Sequence, residues 1–202
     1  MKGSLKKGWL WLAGICICIA AAVFLLVRCG DPGVSGEPTL TVETPQKLSL
    51  QNTKEFTLDV TVNQLGDARY PAMSMCLRFD ASRLEFLGVA EGNVFVYDDQ
   101  STTGRKLPQW SCDTAGSNET GQIRIMYLDM TGGKHAFHKE LLAESDNVVL
   151  RLKFRLRGSI RVGDVLEVTL EDAVFAASDE TQSLAMTTDT LKVKNSKLVI
   201  GE

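Results

Sequence analysis

Two carboxylates lie close together within residues 77–89, at Asp80 and Glu85, and such a pair could act as an acid and a base. Paired carboxylates do this work when they converge on one cleft and their pKa values are shifted apart. Asp80 instead follows one alternating apolar run, and Glu85 lies inside the next run. An aspartate at the head of a turn accepts backbone N–H bonds from residues two or three positions further on. We therefore interpret the stretch as a connection between two strands and not as an active site.

Both histidines of the chain, His135 and His138, lie three residues apart, with Glu140 and Glu144 close by. Two histidines at this spacing on a helix can share a metal ion, but no third ligand of matching geometry is evident. The sequence contains neither the Gly-x-Ser-x-Gly pattern of many hydrolases nor a phosphate-binding loop. We therefore predict that the protein is not an enzyme and has no metal ion or cofactor of its own.

The N-terminal residues predict a membrane segment. Residues 1–8 carry three lysines and no acid, and residues 9–27 are uninterrupted apolar residues. As a helix, this run would be about 28 Å long, enough to cross the hydrocarbon core of a bilayer. Lysines on its N-terminal side predict that residues 1–8 stay in the cytoplasm and that the rest of the chain is exported.

The length of the apolar run favours a retained single-pass anchor, because the core of a signal peptide is usually shorter. Two alternatives stay open. Cleavage near the small residues 34–36 would make the protein secreted, and Cys29 could carry a lipid, although Arg28 suits that processing poorly.

Residues 28–37 are rich in glycine and proline and predict a linker, and residues 38–202 have the length of one domain. All 25 acidic residues follow position 30, so the exported part is more acidic than the whole chain, whose formal net charge is −3. This charge argues against a nucleic-acid partner, which would need a basic protein.

Alternation of apolar and polar residues predicts an all-β domain of about nine strands with one buried face each. Turn residues cluster between these segments, for example at 116–118, and such strands favour a sandwich of two sheets. A helical pattern at 135–144 interrupts them between the sixth and seventh strands. The predicted strands are 40–43, 56–62, 73–79, 84–89, 106–113, 122–130, 150–156, 166–170 and 197–200.

The order of these segments resembles cohesin modules. In residues 77–89, a strand that ends in Phe79-Asp80 is followed by a short arch and by Leu84-Glu85-Phe86-Leu87-Gly88-Val89, as in cohesins. Similar segments follow the family order at 56–62, 121–132, 148–156, 166–175 and 197–202, so that the resemblance covers about residues 38–202. It implies a nine-stranded jelly-roll β-sandwich that binds a dockerin module, and calcium is then expected on the dockerin partner.

The resemblance also implies a contact face. In the family, the eighth, third, sixth and fifth strands form the sheet that receives the dockerin. Tyr127 would be its aromatic anchor and Arg78 its charged contact. The implied partner-binding residues are Ser74, Cys76 and Arg78 on the third strand, Trp110, Ser111 and Asp113 on the fifth, Ile125, Tyr127 and Asp129 on the sixth, and Met130 in the rim loop.

Some positions depart from the family pattern. Cohesins of the first type carry an asparagine and an aspartate at the start of the third strand and a glutamate after the sixth, where this chain has Ala72, Ser74 and Met130. The resemblance therefore implies a partner bound more by apolar contact. The helical segment 136–144 resembles the helix that cohesins of the second type insert between the sixth and seventh strands.

The implied strand order gives two further expectations. Cys76 and Cys112 would lie about 9–10 Å apart, with the sixth strand between them, so we expect free thiols. The cations at 151, 153, 155 and 157 could bind anions, but Glu55 and Asp59 on the neighbouring second strand would pair with them, which we favour.

We therefore expect a non-catalytic module that binds a dockerin-bearing partner and tethers it outside the cell membrane. One alternative is a carbohydrate-binding module that binds a polysaccharide. Such modules usually display several coplanar aromatic rings, whereas Trp110 and the three tyrosines are scattered. The other alternative is a structural domain of a surface assembly.

Overall fold

The computed structural model describes residues 37–45, 47–50, 55–178, 185–187, 189–195 and 197–202. The predicted flank 1–8, the predicted membrane segment 9–27 and all but the last residue of the predicted linker 28–37 lie outside these residues. In the described ranges, no helix is long and apolar enough to cross a membrane.

Alternating apolar residues form the strands, as predicted. Helix α1 comprises Thr114–Thr120, and a single 3-10 turn comprises Lys139–Leu141. The strands are β1 (Thr39–Glu43), β2 (Leu48–Ser49), β3 (Glu55–Val62), β4 (Ala72–Phe79), β5 (Leu84–Glu91), β6 (Val96–Tyr97), β7 (Arg105–Lys106), β8 (Ser111–Cys112), β9 (Gln122–Leu128), β10 (Val148–Leu156), β11 (Val165–Ala176), β12 (Lys192–Asn195) and β13 (Lys197–Gly201).

Two sheets form the domain. One has five strands in the order β12-β1-β3-β10-β5, and the other has six in the order β2-β13-β11-β4-β9-β8, while β6 and β7 form a separate hairpin. Phe79 of the six-stranded sheet packs edge-on against Phe154 of the five-stranded sheet, with ring centroids 5.5 Å apart. The fold is therefore the predicted all-β sandwich, with its core between the two sheets.

The predicted number of strands was wrong. The described residues contain thirteen strands where the sequence predicted nine. The predicted strand 106–113 pairs only at its two ends, in β7 and β8, and the buried Pro108 between them has no N–H for a ladder. The other additional strands are short pieces at 48–49, 96–97 and 192–195.

Both local predictions between the fifth and seventh predicted strands were also wrong. The helical pattern at 135–144 yields only the 3-10 turn, because Phe137 pairs through its backbone with Tyr70, at N···O distances of 2.9 and 3.0 Å, and packs into the core. Residues 116–118, which the sequence predicted as a turn, form α1 instead. Asp113 caps α1 by accepting the Gly116 N–H at 3.0 Å, and Gly121 ends it at a φ of 68°.

Asp80 and Glu85 have the structural roles that the sequence predicted. Asp80 accepts hydrogen bonds from the backbone N and the hydroxyl of Ser82, at 2.9 and 2.6 Å, and the Ser82 hydroxyl is the main reason that the pKa of Asp80 is lowered. Glu85 lies on β5 and contacts Arg155 at 3.2 Å. Asp80 therefore stabilises the turn, and Glu85 forms an ion pair on the surface of the sheet.

Candidate docking face

The four strands that the family resemblance placed together are neighbours in the six-stranded sheet. The eighth, third, sixth and fifth predicted strands correspond to β11, β4, β9 and β8, and these lie side by side in that order. We call the outward surface of these strands the docking face. It comprises Ala72, Ser74, Cys76, Arg78, Ser111, Gln122, Arg124, Met126, Leu128, Thr169, Glu171, Asp172, Val174 and Ala176, with Met130 at its rim.

On β4 the predicted orientation is confirmed. Ser74, Cys76 and Arg78 point outward, while the four apolar residues that alternate with them are buried. The strict alternation of apolar and polar side chains left only one way for this strand to face the core.

On β9 the prediction was wrong by one residue. Ile125 and Tyr127 are 1% and 5% exposed and point into the core, whereas Arg124, Met126 and Leu128 point outward. Apolar residues occur on both sides of β9, so its pattern did not determine which side is buried. The same feature could have revealed the docking face, because a sandwich strand that is apolar on both sides leaves apolar side chains outside.

Tyr127 is therefore a core residue and not the aromatic anchor of a contact face. Its ring packs against Phe137 and Trp110 at centroid distances of 5.1 and 6.1 Å, and its hydroxyl donates to the carbonyl oxygen of His135 at 2.7 Å. Burial raises the pKa of Tyr127 to about 12. Tyr127 stabilises the domain beneath the docking face.

Asp129 is also turned away from the docking face. Its carboxylate is 1% exposed and accepts bonds from the backbone N of Thr131, Gly133 and His135. Burial raises the pKa of Asp129, but hydrogen bonds, led by that from the Thr131 hydroxyl, outweigh burial and lower it overall. Asp129 thus shapes the rim loop, on which Met130 is 84% exposed.

The three residues expected from the fifth strand have three different environments. Ser111 is exposed and lies opposite Met126. Trp110 is half-buried and stacks on Phe137 at 6.0 Å, so its ring belongs to the core edge. Asp113 is exposed at the start of α1, where it caps the helix. Ser111 lies in the docking face itself, and Asp113 lines the depression over its polar half.

One half of the docking face is apolar. Across the strands, Ala72 lies between Ala176 and Leu128, and Ser74 lies between Val174 and Met126. Met126, Leu128 and Met130 are 48%, 52% and 84% exposed. Met126 and Leu128 lie two residues apart on the outer side of β9, and Met130 follows on the rim loop, so exposed apolar side chains continue from the strand to the rim. We call these three residues the apolar stripe.

The other half of the docking face is polar. Arg78 forms a 2.6 Å ion pair with Glu171, and this hydrogen-bonded contact lowers the pKa of Glu171. Cys76 lies between Asp172 and Arg124 on its two neighbouring strands. A depression of about 750 Å³ covers this half, and its lining includes Cys76, Arg124, Glu171 and Asp172.

The two cysteines are free thiols, as predicted. Cys76 on β4 lies opposite the exposed Arg124 of β9. Cys112 is on β8, which flanks β9 along its other edge, and lies opposite the buried Ile125. Since opposed residues in a ladder point to the same side of the sheet, the two thiols point to opposite sides as well as lying two strands apart.

One group of side chains has the composition of a metal site. Ligand atoms of Asp98, Asp99 and His135 lie within 4.8 Å of one another, a set that differs from the His135 and His138 pair weighed in the sequence. Lys106 Nζ lies 2.8 Å from His135 Nδ1, while the buried Nε2 lies 3.3 Å from Asp98 Oδ1 without a hydrogen bond. These contacts connect Asp98, in the loop after β6, and Lys106 of β7 to His135 beside the rim loop.

The outward face of the five-stranded sheet confirms the predicted charge pairing. Arg151 of β10 lies 3.3 Å from Asp59 of β3, and Arg155 lies 2.5 Å from Glu55. These residues are direct cross-strand neighbours. Arg151 and Arg155 therefore pair with acids of the same sheet, whereas Lys153 lies opposite Thr57 and Gly88.

The sequence matches the family model described as the cohesin domain over residues 40–194. This chain belongs to the cohesin family. Among curated protein sequences, none matches this cohesin significantly.

Solved cohesin structures share the fold. The sixth cohesin of scaffoldin B from Acetivibrio cellulolyticus, in complex with a mutant Cel5 dockerin, has a TM-score of 0.57 at 15% identity over 82% of this chain and 99% of that chain. The OlpA cohesin in a type I complex from Clostridium thermocellum has a TM-score of 0.56 at 14% identity over the same shares. A cohesin module of a family 33 glycoside hydrolase from Clostridium perfringens has 0.51 at 12% identity, over 83% and 99%.

The α-helical segment that pointed to the second cohesin type is absent from the described part of the chain. Residues 136–144 contain only the 3-10 turn, and α1 lies earlier, between β8 and β9. The segment therefore does not distinguish the two types.

Proposed function

We propose that this cohesin is a non-catalytic module that binds a dockerin-bearing partner through the docking face. The apolar stripe of Met126, Leu128 and Met130 is the observation that carries the proposal. Large apolar side chains exposed next to one another mark interaction sites, because their exposure to water is unfavourable until a partner covers them. In this chain the stripe lies on the sheet that the resemblance assigned to the dockerin.

The similar solved structures support the choice of partner. The cohesins of Acetivibrio cellulolyticus and Clostridium thermocellum were both determined in complex with dockerins. We expect the partner to bring its calcium with it. A regular sheet surface is largely preformed, so that binding should bury about 1,200–2,000 Å² in total with little backbone change.

The apolar stripe also agrees with the departures from cohesins of the first type. Ala72, Ser74 and Met130 replace polar residues that the resemblance implied at the start of β4 and after β9. In this chain Ala72 lies beside Leu128 of the stripe, and Met130 is part of the stripe. Most of the binding energy should therefore come from apolar burial, at roughly 25 cal/mol per Å² before the costs of association.

Carbohydrate binding is the weaker candidate. Stacking on sugars needs exposed, coplanar rings, and in the described structure the docking face presents none. Trp110 and Tyr127, the aromatic residues nearest to it, pack against each other and against Phe137. Immobilised glycans should therefore not retain the protein.

The proposed role includes a tether at the cell surface. It rests on the apolar run 9–27 and its lysine flank in the sequence. Fractionation of cells that express the full chain should place it in the membrane, and protease added outside should remove the cohesin. Recovery of the intact chain from the medium would show that it is secreted instead.

The first test of the proposal is capture from a panel of purified dockerin modules, in calcium and then with a chelator. We expect capture that calcium sustains and chelation abolishes. Cys76 locates the contact, because its thiol lies at the centre of the docking face. A bound dockerin should slow its alkylation, as measured by mass spectrometry against the same protein without dockerin. Capture that leaves alkylation of Cys76 unchanged would place the partner elsewhere.

A further inference from the structure

The polar half of the docking face contains two oppositely charged pairs that differ in one respect. Arg78 and Glu171 contact each other at 2.6 Å, so their charges neutralise each other before any partner arrives. We call them the closed pair. Asp172 and Arg124 are both exposed, and neither has an oppositely charged group within 4.0 Å among the described residues. We call these two residues the open pair.

The strand register holds the open pair apart. Asp172 on β11 and Arg124 on β9 are both direct neighbours of Cys76 on the strand between them. Their backbones are therefore separated by two strand spacings, about 9–10 Å. Arg124 instead donates to the side-chain oxygen of Gln122 at 3.3 Å, a neutral partner that leaves its charge uncompensated.

A β-bulge is the reason that β11 supplies two acids to the same surface. The register between β11 and β4 shifts between Leu170 and Asp172, and Asn195 bonds to the backbone N and O of Leu170 at 2.7 and 3.2 Å. In a regular strand, consecutive residues point to opposite sides, but the bulge leaves Glu171 and Asp172 both exposed. Glu171 pairs with Arg78, and Asp172 stays available.

We propose that the open pair selects the dockerin partner by charge: the partner carries a carboxylate that meets Arg124 and a cation that meets Asp172, beside apolar side chains that cover the stripe. This inference rests on the proposed function and specifies its partner. Residues seven positions apart on a helix lie on one side of it at about 10.5 Å, which matches the spacing of the open pair. A contact helix that crosses the strands with an acid and a base at that spacing fits this surface.

The open pair would determine orientation more than affinity. Complementary charges steer association and fix the register of two surfaces, whereas a helix placed in the reverse direction would bring like charges together. The apolar stripe cannot supply this discrimination, because dispersion and burial depend little on direction.

The test uses the dockerin that the wild-type protein captures most tightly from the panel, with its dissociation constant measured in calcium at low and high salt. We expect Arg124→Glu and Asp172→Lys each to weaken binding by about tenfold, with a smaller effect at high salt. Because Arg78 is already neutralised by Glu171, Arg78→Gln should weaken binding less than Arg124→Gln. Lys153→Glu, on the outward face of the five-stranded sheet, is the matched charge-reversal control and should have no effect. Thermal unfolding of each variant shows that it is folded.

The outcomes separate this inference from the proposed function. In one outcome, Arg124→Glu and Asp172→Lys bind as tightly as Lys153→Glu, while an acid in the apolar stripe abolishes binding. That result would support the docking face as the binding surface and would show that selection by the open pair is wrong. If the wild-type protein captures no dockerin, the proposed function and the selection by the open pair are both wrong. A second copy of the chain, rotated about an axis along β4, could also bring Arg124 to Asp172. Self-association that either charge reversal abolishes would therefore overturn the choice of partner.

Discussion

The outward faces of the two sheets are built differently. On the five-stranded sheet, Arg151 and Arg155 of β10 pair with acids on β3 and β5 at 2.5–3.3 Å. On the six-stranded sheet, the apolar stripe is exposed and the open pair lacks a neighbour of opposite charge in the described residues. A surface that neutralises its own charges gains little from a partner, whereas the docking face gains from burial and from charge at once. The difference supports the six-stranded sheet as the proposed binding face.

The largest expected effect separates the two sides of β9. Tyr127 and Leu128 are adjacent, but Tyr127 points into the core and Leu128 points out. Tyr127→Ala should lower the free energy of unfolding by about 3–5 kcal/mol, because it leaves a cavity among aromatic rings. Tyr127→Phe keeps the ring and loses only the hydrogen bond to His135, at a cost of about 1 kcal/mol. Denaturant unfolding measures both. Equal stability of Tyr127→Ala and wild type would contradict the position of Tyr127 in the core.

Alkaline pH probes the same side chain. Burial raises the pKa of Tyr127 from 10.0 to about 12, so the folded protein keeps a proton that the unfolded chain releases from about pH 10. The stabilisation is complete below pH 10 and is lost as the pH rises through 12, by about 1.4 kcal/mol per unit. Tyr127→Phe should flatten this part of the stability profile. Profiles of the same slope for both proteins would show that Tyr127 ionises normally in the folded state.

A charge placed in the apolar stripe tests the outer side of β9. Leu128→Asp should weaken dockerin binding by at least about thirtyfold, since central apolar residues of an interface each contribute about 2 kcal/mol or more. The stability of the domain should change little, because Leu128 is 52% exposed. Isothermal titration and thermal unfolding of the same samples separate the two effects. Binding at wild-type affinity would exclude the stripe from the interface.

The smallest expected effect is on the charge-paired sheet. Arg155→Ala removes contacts to Glu55 and Glu85, which support the raised pKa of Arg155, but all three side chains are well exposed. We expect a small decrease in melting temperature that disappears at high salt, and no change in dockerin binding. A loss of binding in Arg155→Ala would contradict the proposed difference between the two sheets, because it would assign the partner to the five-stranded sheet.

Two strands show when the sequence alone predicts which side chains point outward. On β4, apolar Met73, Met75, Leu77 and Phe79 alternate with Ser74, Cys76 and Arg78, so the pattern determined the outward residues correctly. On β9, Ile125, Met126, Tyr127 and Leu128 are all apolar, and alternation could not say which pair is buried. The prediction selected the tyrosine because aromatic residues often anchor interfaces, and it missed Met126 and Leu128.

The segments between strands were less predictable than the strands. Residues 136–144 have a helical pattern, yet the backbone of Phe137 pairs with Tyr70, more than sixty positions earlier in the chain. Asn118 lies in a glycosylation pattern, but its side chain bonds to the backbone N and O of Phe86 at 2.8 Å and joins α1 to the edge of β5. These roles depend on contacts between distant parts of the chain, which no local pattern contains.

The sequence by itself determined the all-β sandwich and the family. The family resemblance implied the order of the central strands, and that order implied the charge pairing of Arg151 and Arg155. The sandwich and the family follow from period-two alternation and from the order of segments, both of which can be seen in the sequence alone. The tertiary structure decided which side of β9 faces the core, where the bulge in β11 directs Glu171 and Asp172, and that Asp129 shapes a loop instead of binding. These features depend on how two sheets share one core, because burial on one side of a strand leaves the other side for a partner.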